Sequence, residues 1–272
     1  MDARADERQA LLGRLRRAQE RGELLLHYQP QVETGSGRLV GVEALLRWQS
    51  PELGMVGPAR FIPLAEEAGL IESIGEWVLQ TACRQGVAWQ QQGLPPMLIA
   101  VNLSARQFRQ KNLALLVRQA LRESGLEARW LELEVTEGML MHDPEQAASI
   151  LRELSGMGVH IAVDDFGTGY SSLSYLKRFP VTRLKVDQSF VRDIPGDQDD
   201  AAIVTAVVSL AHSLRMGVIA EGVETEAQRA FLLGLNCELC QGYLFSRPLP
   251  AGEIPAFQAR PEMLFAAQQS AP

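Results

Sequence analysis

The sequence predicts an α/β fold, a (β/α)8 TIM-like barrel whose first strand runs antiparallel to its neighbour. Three observations predict it. From Met97 onward, apolar runs of strand length alternate with helical stretches, the pattern of a parallel sheet with right-handed helical crossovers. The strand-like runs number eight, enough to close a barrel. The first two are joined only by Glu33-Thr34-Gly35-Ser36-Gly37, too short for a parallel crossover, so that pair is antiparallel. A doubly wound open sheet is the competing architecture, but it usually carries a glycine-rich phosphate loop after its first strand, and none follows Val32. The chain's 272 residues suit one large domain and lie near the roughly 250 typical of such barrels.

In chain order, Asp6 to Glu20 has helical spacing in Leu11, Leu12, Leu15 and Ala18, with arginines on the other face. Its apolar stripe is narrow, which favours a surface helix over a membrane-lying one; it could equally end a connector from an upstream domain. Leu24 to Val32 and Leu39 to Trp48 read as strands. Pro58 to Gln92 reads as one long helix, uninterrupted by proline after Pro63. Strands then follow at Met97–Leu103, Leu131–Thr136, His160–Asp164, Arg183–Asp187, Gly217–Ala220 and Cys240–Phe245. Helices fall between them at Leu113–Ser124, Pro144–Ser155, Ser171–Arg178, Ala201–Arg215 and Glu226–Leu233. No repeat or interior linker divides the chain. The expected organisation is a helix or connector over 1–22, a barrel over 23–260 and a tail over 261–272.

Bulk composition narrows the function. A net charge of −7 argues against duplex nucleic acid, which would need a basic face. Three cysteines make no disulfide framework, and no stretch resembles a signal peptide or a membrane span, so a cytoplasmic protein is expected, or the cytoplasmic domain of a larger membrane-anchored sensor.

Chemistry gathers where barrel strands end, the face that carries active sites in this architecture. Val163-Asp164-Asp165-Phe166-Gly167-Thr168-Gly169-Tyr170 places two carboxylates at a strand end before a glycine-rich loop. Two anions directed at one point repel, and a proton or a cation relieves that repulsion. Alone, the pair reads as a solvated turn. The other strand ends add Glu43, Asn102, Glu134, Lys185 with Asp187, Glu221 and Gln241, each interrupting or ending an apolar run. Burying so many acids without partners would cost several kcal/mol apiece. Oxygen donors from six strand ends therefore point to a hard-cation centre for Mg²⁺, Mn²⁺ or Ca²⁺.

Assembled in order, these residues resemble the EAL-domain family of cyclic di-GMP phosphodiesterases. The naming tripeptide stands within Glu43-Ala44-Leu45-Leu46-Arg47-Trp48. Around it lie Tyr28-Gln29-Pro30, Val101-Asn102-Leu103-Ser104, Glu134-Val135-Thr136-Glu137, Asp164-Asp165-Phe166-Gly167-Thr168-Gly169, Lys185-Val186-Asp187, Glu221-Gly222-Val223-Glu224 and Gln241-Gly242-Tyr243. The likeness runs from about Leu24 to Pro248.

The resemblance implies two divalent ions, Mg²⁺ or Mn²⁺. Glu43, Asn102, Glu134 and Asp164 would hold one; Asp164 would bridge to a second held also by Asp165 and reached by Glu221. Such a pair can clamp an in-line displacement at phosphorus, here opening cyclic di-GMP to linear pGpG. Lys185 would hold the attacking water or neutralise charge, Glu221 is the candidate general base, and Asp165 joins them in the catalytic set. Arg47 would pair with a substrate phosphate, while Gln29, Leu46, Asp187, Glu224 and Gln241 would line the rest of the ligand. Glu137, Phe166 and Gly167 belong to the segment that, by resemblance, couples the second metal site to homodimerisation. Upstream sensory or cyclase domains are expected in a full-length protein.

Other residues have plainer readings. Cys237 and Cys240, with no second pair, read as core thiols. His27, His142, His160 and His212 are scattered, and the four tryptophans read as packing. Ser104 and Ser171 lack a histidine partner for nucleophilic work. Two alternatives to hydrolysis stay open: a receptor that binds cyclic di-GMP without cutting it, and an unrelated Mg²⁺ barrel that enolises its substrate.

Overall fold

The computed structural model describes residues 3–168 and 173–259, with side chains from residue 7. Its ten strands are β1 Leu24–Glu33, β2 Leu39–Ser50, β3 Gly54–Val56, β4 Leu98–Asn102, β5 Leu131–Thr136, β6 His160–Phe166, β7 Arg183–Val186, β8 Gly217–Ala220, β9 Leu239–Cys240 and β10 Leu249–Pro250. Pairing runs β1-β2-β4-β5-β6-β7-β8-β9 and returns to β1, a closed barrel of eight, with β3 and β10 added outside the ring. Strand β1 is antiparallel to both of its barrel neighbours, and the other ring pairings are parallel. The predicted architecture is the observed one.

Strand residues that face the surrounding helices are branched and fully buried: Val42, Ile99, Leu133, Ile161 and Leu184 are sealed from solvent, and Ile99 packs against the helix at Gly86. The inward register carries Glu43, Ala100, Glu134, Ala162, Lys185 and Ile219. Outside, the helix Ile71–Gln91 covers the barrel with Ile74, Val78, Leu79, Ala82 and Trp89 at helical spacing. Trp48 packs edge-on against Phe61 at 5.7 Å, and Tyr28 against Trp89 at 4.8 Å. Both buried indoles find acceptors, Trp48 at Glu23 and Trp89 at the Ala251 carbonyl; these tryptophans are packing residues. The helix Ala3–Ala18 lies against the helix Pro58–Glu67 through Leu11, Leu15 and Ala18, so its narrow apolar stripe is buried on this barrel.

Some boundaries differ from the sequence reading. The long helix expected over Pro58–Gln92 is two, Pro58–Glu67 and Ile71–Gln91. Gly69 takes φ 73°, and Leu70 N donates to Ala65 O at 2.8 Å, a left-handed termination that apolar periodicity does not reveal. The last strand is only Leu239–Cys240, because Gly242 and its neighbours form a tight turn and not extended chain. Strand β7 stops at Val186, and Asp187 caps the short helix Gln188–Val191 by accepting from Ser189 N. Of the expected helix Ser171–Arg178, the described part is Leu173–Leu176; Gly169, Tyr170, Ser171 and Ser172 lie outside the described residues, as do 260–272.

Candidate active site

The site is built around one buried ammonium. Lys185 points inward from the middle of β7, where it pairs with Ile219 of β8, and its side chain is closed to solvent. Its Nζ lies 2.7 Å from Glu134 Oε2, 2.6 Å from Glu221 Oε1, 3.3 Å from Asp164 Oδ1 and 3.7 Å from Glu43 Oε2. These acids come from β5, the chain just after β8, β6 and β2. Topology alone brings them together.

Amides tie the same acids from the other side. Asn102, at the end of β4, donates to Glu43 Oε1 at 2.6 Å. Gln241 donates to Glu43 Oε2 at 2.7 Å and to Glu221 Oε1 at 3.2 Å, while its own carbonyl accepts from Gln31 at 3.1 Å. Sequence reading missed Gln31. Its signal is the strand period, since Gln29 and Gln31 share a face of β1.

Glu43 was expected at a strand end. It sits mid-strand, because β2 continues to Ser50; what ends nearby is the parallel pairing with β4, at Ala44. The barrel wall stops there even though the strand does not. At Asp164 and Asp165 the β6–β7 register slips, and Asp165 adopts φ 53°. Strand alternation already turns Asp164 inward with Ala162 to reach Lys185, and beyond it the left-handed Asp165 keeps its carboxyl at the exposed rim beside Asp187. A short polar side chain tolerates this conformation at about 1–2 kcal/mol.

Charge at the site is unbalanced: four carboxylates surround one ammonium. Burial disfavours the charged lysine, but the acids around it dominate and hold Lys185 well above its ordinary value, so it remains protonated. Burial pushes Glu134 well up, reinforced by Glu43. Burial also lifts Glu221 to about 8, against the pull of Lys185. For Glu43 burial is outweighed by Lys185, Gln241 and Asn102, which hold it low. Burial and the Asp164 charge lift Asp165 to about 6.

The donor set fits divalent ions. Its ligating atoms are hard oxygens, its charge is in surplus, and Glu134 Oε1 is buried with no hydrogen-bond partner. As they stand, the acids close on Lys185, and among the described residues no three of His, Cys, Asp or Glu are already arranged around a metal position.

The remaining predicted residues divide into groups. Leu46 and Arg47 line a cavity of about 290 Å³ with Asn102, Ile62, Ile74 and Ser104; Arg47 spends one donor on the Leu46 carbonyl. Asp187 and Glu224 line a second recess of about 240 Å³ with Gln188 and Arg192. Gln29, expected at the ligand, is buried and donates to Ser246 O at 2.6 Å, so it anchors the loop after β9. Glu137 is buried, accepts from Gly167 N at 3.1 Å and leaves Oε1 without a partner. Phe166 is buried beneath that loop, and Gly167 takes φ 97° with Phe190 close by.

A closed barrel that collects acids, amides and one lysine at the C-terminal rim is built as a metal-dependent barrel enzyme. The chain belongs to the EAL domain family, whose sequence profile matches residues 12–248. It is 52% identical over 254 residues to the bifunctional diguanylate cyclase/cyclic di-GMP phosphodiesterase MucR of Pseudomonas aeruginosa, covering 93% of this chain and 37% of that protein. Identity to the cyclic di-GMP phosphodiesterase NbdA of the same organism is 47% over 243 residues, covering 89% and 31%. The structure of the MucR phosphodiesterase in complex with c-di-GMP superposes with a TM-score of 0.88 at 52% identity, covering 90% of this chain and 99% of that one. The chain spans about a third of the length of these curated relatives. Among the described residues no helix is long and apolar enough to cross a membrane.

Proposed function

We propose that this chain hydrolyses cyclic di-GMP to linear pGpG. The observation that carries the reading is the single cluster of Glu43, Glu134, Asp164 and Glu221 around buried Lys185, in a chain 52% identical to a protein named as a cyclic di-GMP phosphodiesterase. Glu43, Asn102, Glu134 and Asp164 would hold one divalent ion, and Asp164, Asp165 and Glu221 a second. Mg²⁺ or Mn²⁺ there would supply an activated water for in-line attack at phosphorus and charge stabilisation of the leaving oxygen.

The chain's own residues supply the rest. Lys185, locked in the protonated state, is a fixed positive charge that can hold water and offset negative charge on the phosphoryl oxygens; it is no base. Glu221 is the candidate general base; in the metal-free site burial lifts it to about 8 and Asp165 to about 6, and a bound cation would hold both as carboxylates. Arg47 keeps guanidinium donors for a phosphate, and the Leu46-lined cavity beside it offers an apolar wall to a base. The catalytic unit is the barrel over 23–260, working in the cytoplasm as a homodimer whose contact involves the segment around Phe166–Pro180, with sensory or cyclase domains upstream.

The test incubates purified protein with cyclic di-GMP and Mg²⁺ or Mn²⁺, with and without chelator, and follows pGpG. Chelator-sensitive product that disappears in Glu43→Ala supports the reading. Tight binding without product under both cations would make the chain a receptor and overturn it.

A further inference from the structure

Gln31 is a buried amide that the reaction itself does not call for. It stands on β1 directly opposite Gly41 of β2, and two residues away Gln29 stands opposite Glu43. Residues opposite one another in an antiparallel pair share a face, so Gln31 points into the barrel one step deeper than Glu43. Only 1% of it is exposed. The missing side chain at Gly41 makes its room, since a Cβ there would stand 3.0 Å from Gln31 Oε1.

Its one side-chain partner is Gln241, whose backbone is already fixed. Gln241 N donates to Ala220 O at 2.9 Å, and Gln241 O accepts from Val223 N at 3.1 Å. What is left open is the sense of the Gln241 amide, because a half-turn exchanges its oxygen and its nitrogen. Nε2 donates to Glu43 and Glu221 at 2.7 and 3.2 Å, and Oε1 accepts from Gln31 Nε2 at 3.1 Å. Presenting its nitrogen there leaves Gln31 Oε1 buried with no partner. An orphaned buried carbonyl is destabilising, so its presence calls for a reason. The reason is polarity: a reversed Gln241 would set nitrogen against nitrogen at Gln31 and oxygen against both carboxylates.

We infer that Gln31 is a positioning residue of the active site. It locks the Gln241 amide with its nitrogen toward Glu43 and Glu221, and so orients those two acids, one from each proposed cation position, to take metal. The inference rests on the phosphodiesterase reading. Asn102 donates to the other oxygen of Glu43 at 2.6 Å, so with Gln31 in place amides direct both oxygens of that carboxylate. Partners that orient metal ligands in this way are typically worth about 10–100-fold in metal affinity or activity.

A double-mutant cycle tests it, with Gln31→Met, Gln241→Met and the two together. Each chain is measured for Mn²⁺ affinity without substrate and for steady-state hydrolysis of cyclic di-GMP. Gln31→Met keeps the length of the side chain and removes the donor. It is expected to weaken Mn²⁺ binding about tenfold and to lower kcat by a similar factor at limiting Mn²⁺, with little change in KM for cyclic di-GMP. In the Gln241→Met background the same change should have no further effect, because the group through which Gln31 acts is gone. Gln31→Asn, one methylene short, should repeat the loss and serves as the second variant where the Met chain does not fold. Unchanged Mn²⁺ affinity in the Gln31 variants overturns the inference. A loss of equal size in both backgrounds overturns it too, since that is a general packing defect. If the parent protein binds Mn²⁺ but leaves cyclic di-GMP uncut, the phosphodiesterase reading has failed, and the affinity cycle still decides the role of Gln31. A parent that binds no Mn²⁺ overturns both.

Discussion

Lys185 is the residue on which the site's electrostatics depend. Removing it leaves Glu43, Glu134, Asp164 and Glu221 facing one another with no buried cation between them. Lys185→Met is expected to abolish turnover and to destabilise the metal-free fold at neutral pH by about 3–5 kcal/mol, the range for breaking a buried pair. Urea denaturation with and without Mg²⁺ checks this, because a divalent ion should recover part of the loss; equal stability of variant and parent would refute it. The acids and the lysine were legible in the sequence, since each interrupts an apolar strand. Their common site at the barrel rim was legible too, but their individual partners were not. No local pattern says that Gln241 bridges Glu43 and Glu221, that Gln29 turns away to Ser246, or that Asp165 takes a left-handed conformation. The Gln241–Glu43 and Gln29–Ser246 contacts join residues 198 and 217 positions apart across the barrel.

At the scale of elements, the strands Leu131–Thr136 and Gly217–Ala220 and the helices Leu113–Ser124 and Pro144–Ser155 have the bounds their periodicity indicates, because hydrophobic spacing is a local property. The helix break at Gly69 and the turn at Gly242 were invisible for the complementary reason: a glycine's positive φ is chosen by what lies across from it. Gly242→Ala tests the second case. Its Cβ would clash with Val223 backbone, so the variant is expected to lose about 3 kcal/mol or more. A midpoint in urea within experimental error of the parent would show that the turn can shift at little cost. At the other end of the chain, Leu15 is sealed between the first helix and the barrel. Leu15→Ala should cost about 2–5 kcal/mol by chemical denaturation if that helix is an integral layer of the fold.

For the molecule as a whole, the core sets the alkaline limit of stability. Burial raises the Tyr28 phenol above its ordinary 10.0 and the Cys83 thiol from 9.0 to about 12. Both groups stay protonated in the native core, whereas the unfolded chain ionises them from about pH 9 upward. Their contribution is therefore complete below that pH and is lost as pH rises, by about 1.4 kcal/mol per pH unit for each group once its unfolded form is ionised. Thermal melts from pH 8 to 11 should show that decline, and a flat profile would contradict it. Sedimentation should find a homodimer; a fully active monomer would sink the proposed coupling through Glu137 and the loop after β6. Fold class, closure at eight strands, the antiparallel first hairpin and the roster of acids were determined by the sequence alone, since hydrophobic period, turn length and the cost of burying charge are written residue by residue. Which acids share one ammonium and which amides tie them were decided only by the tertiary structure. Closing a barrel converts positions far apart in the chain into neighbours within 3 Å, and no local rule carries that distance.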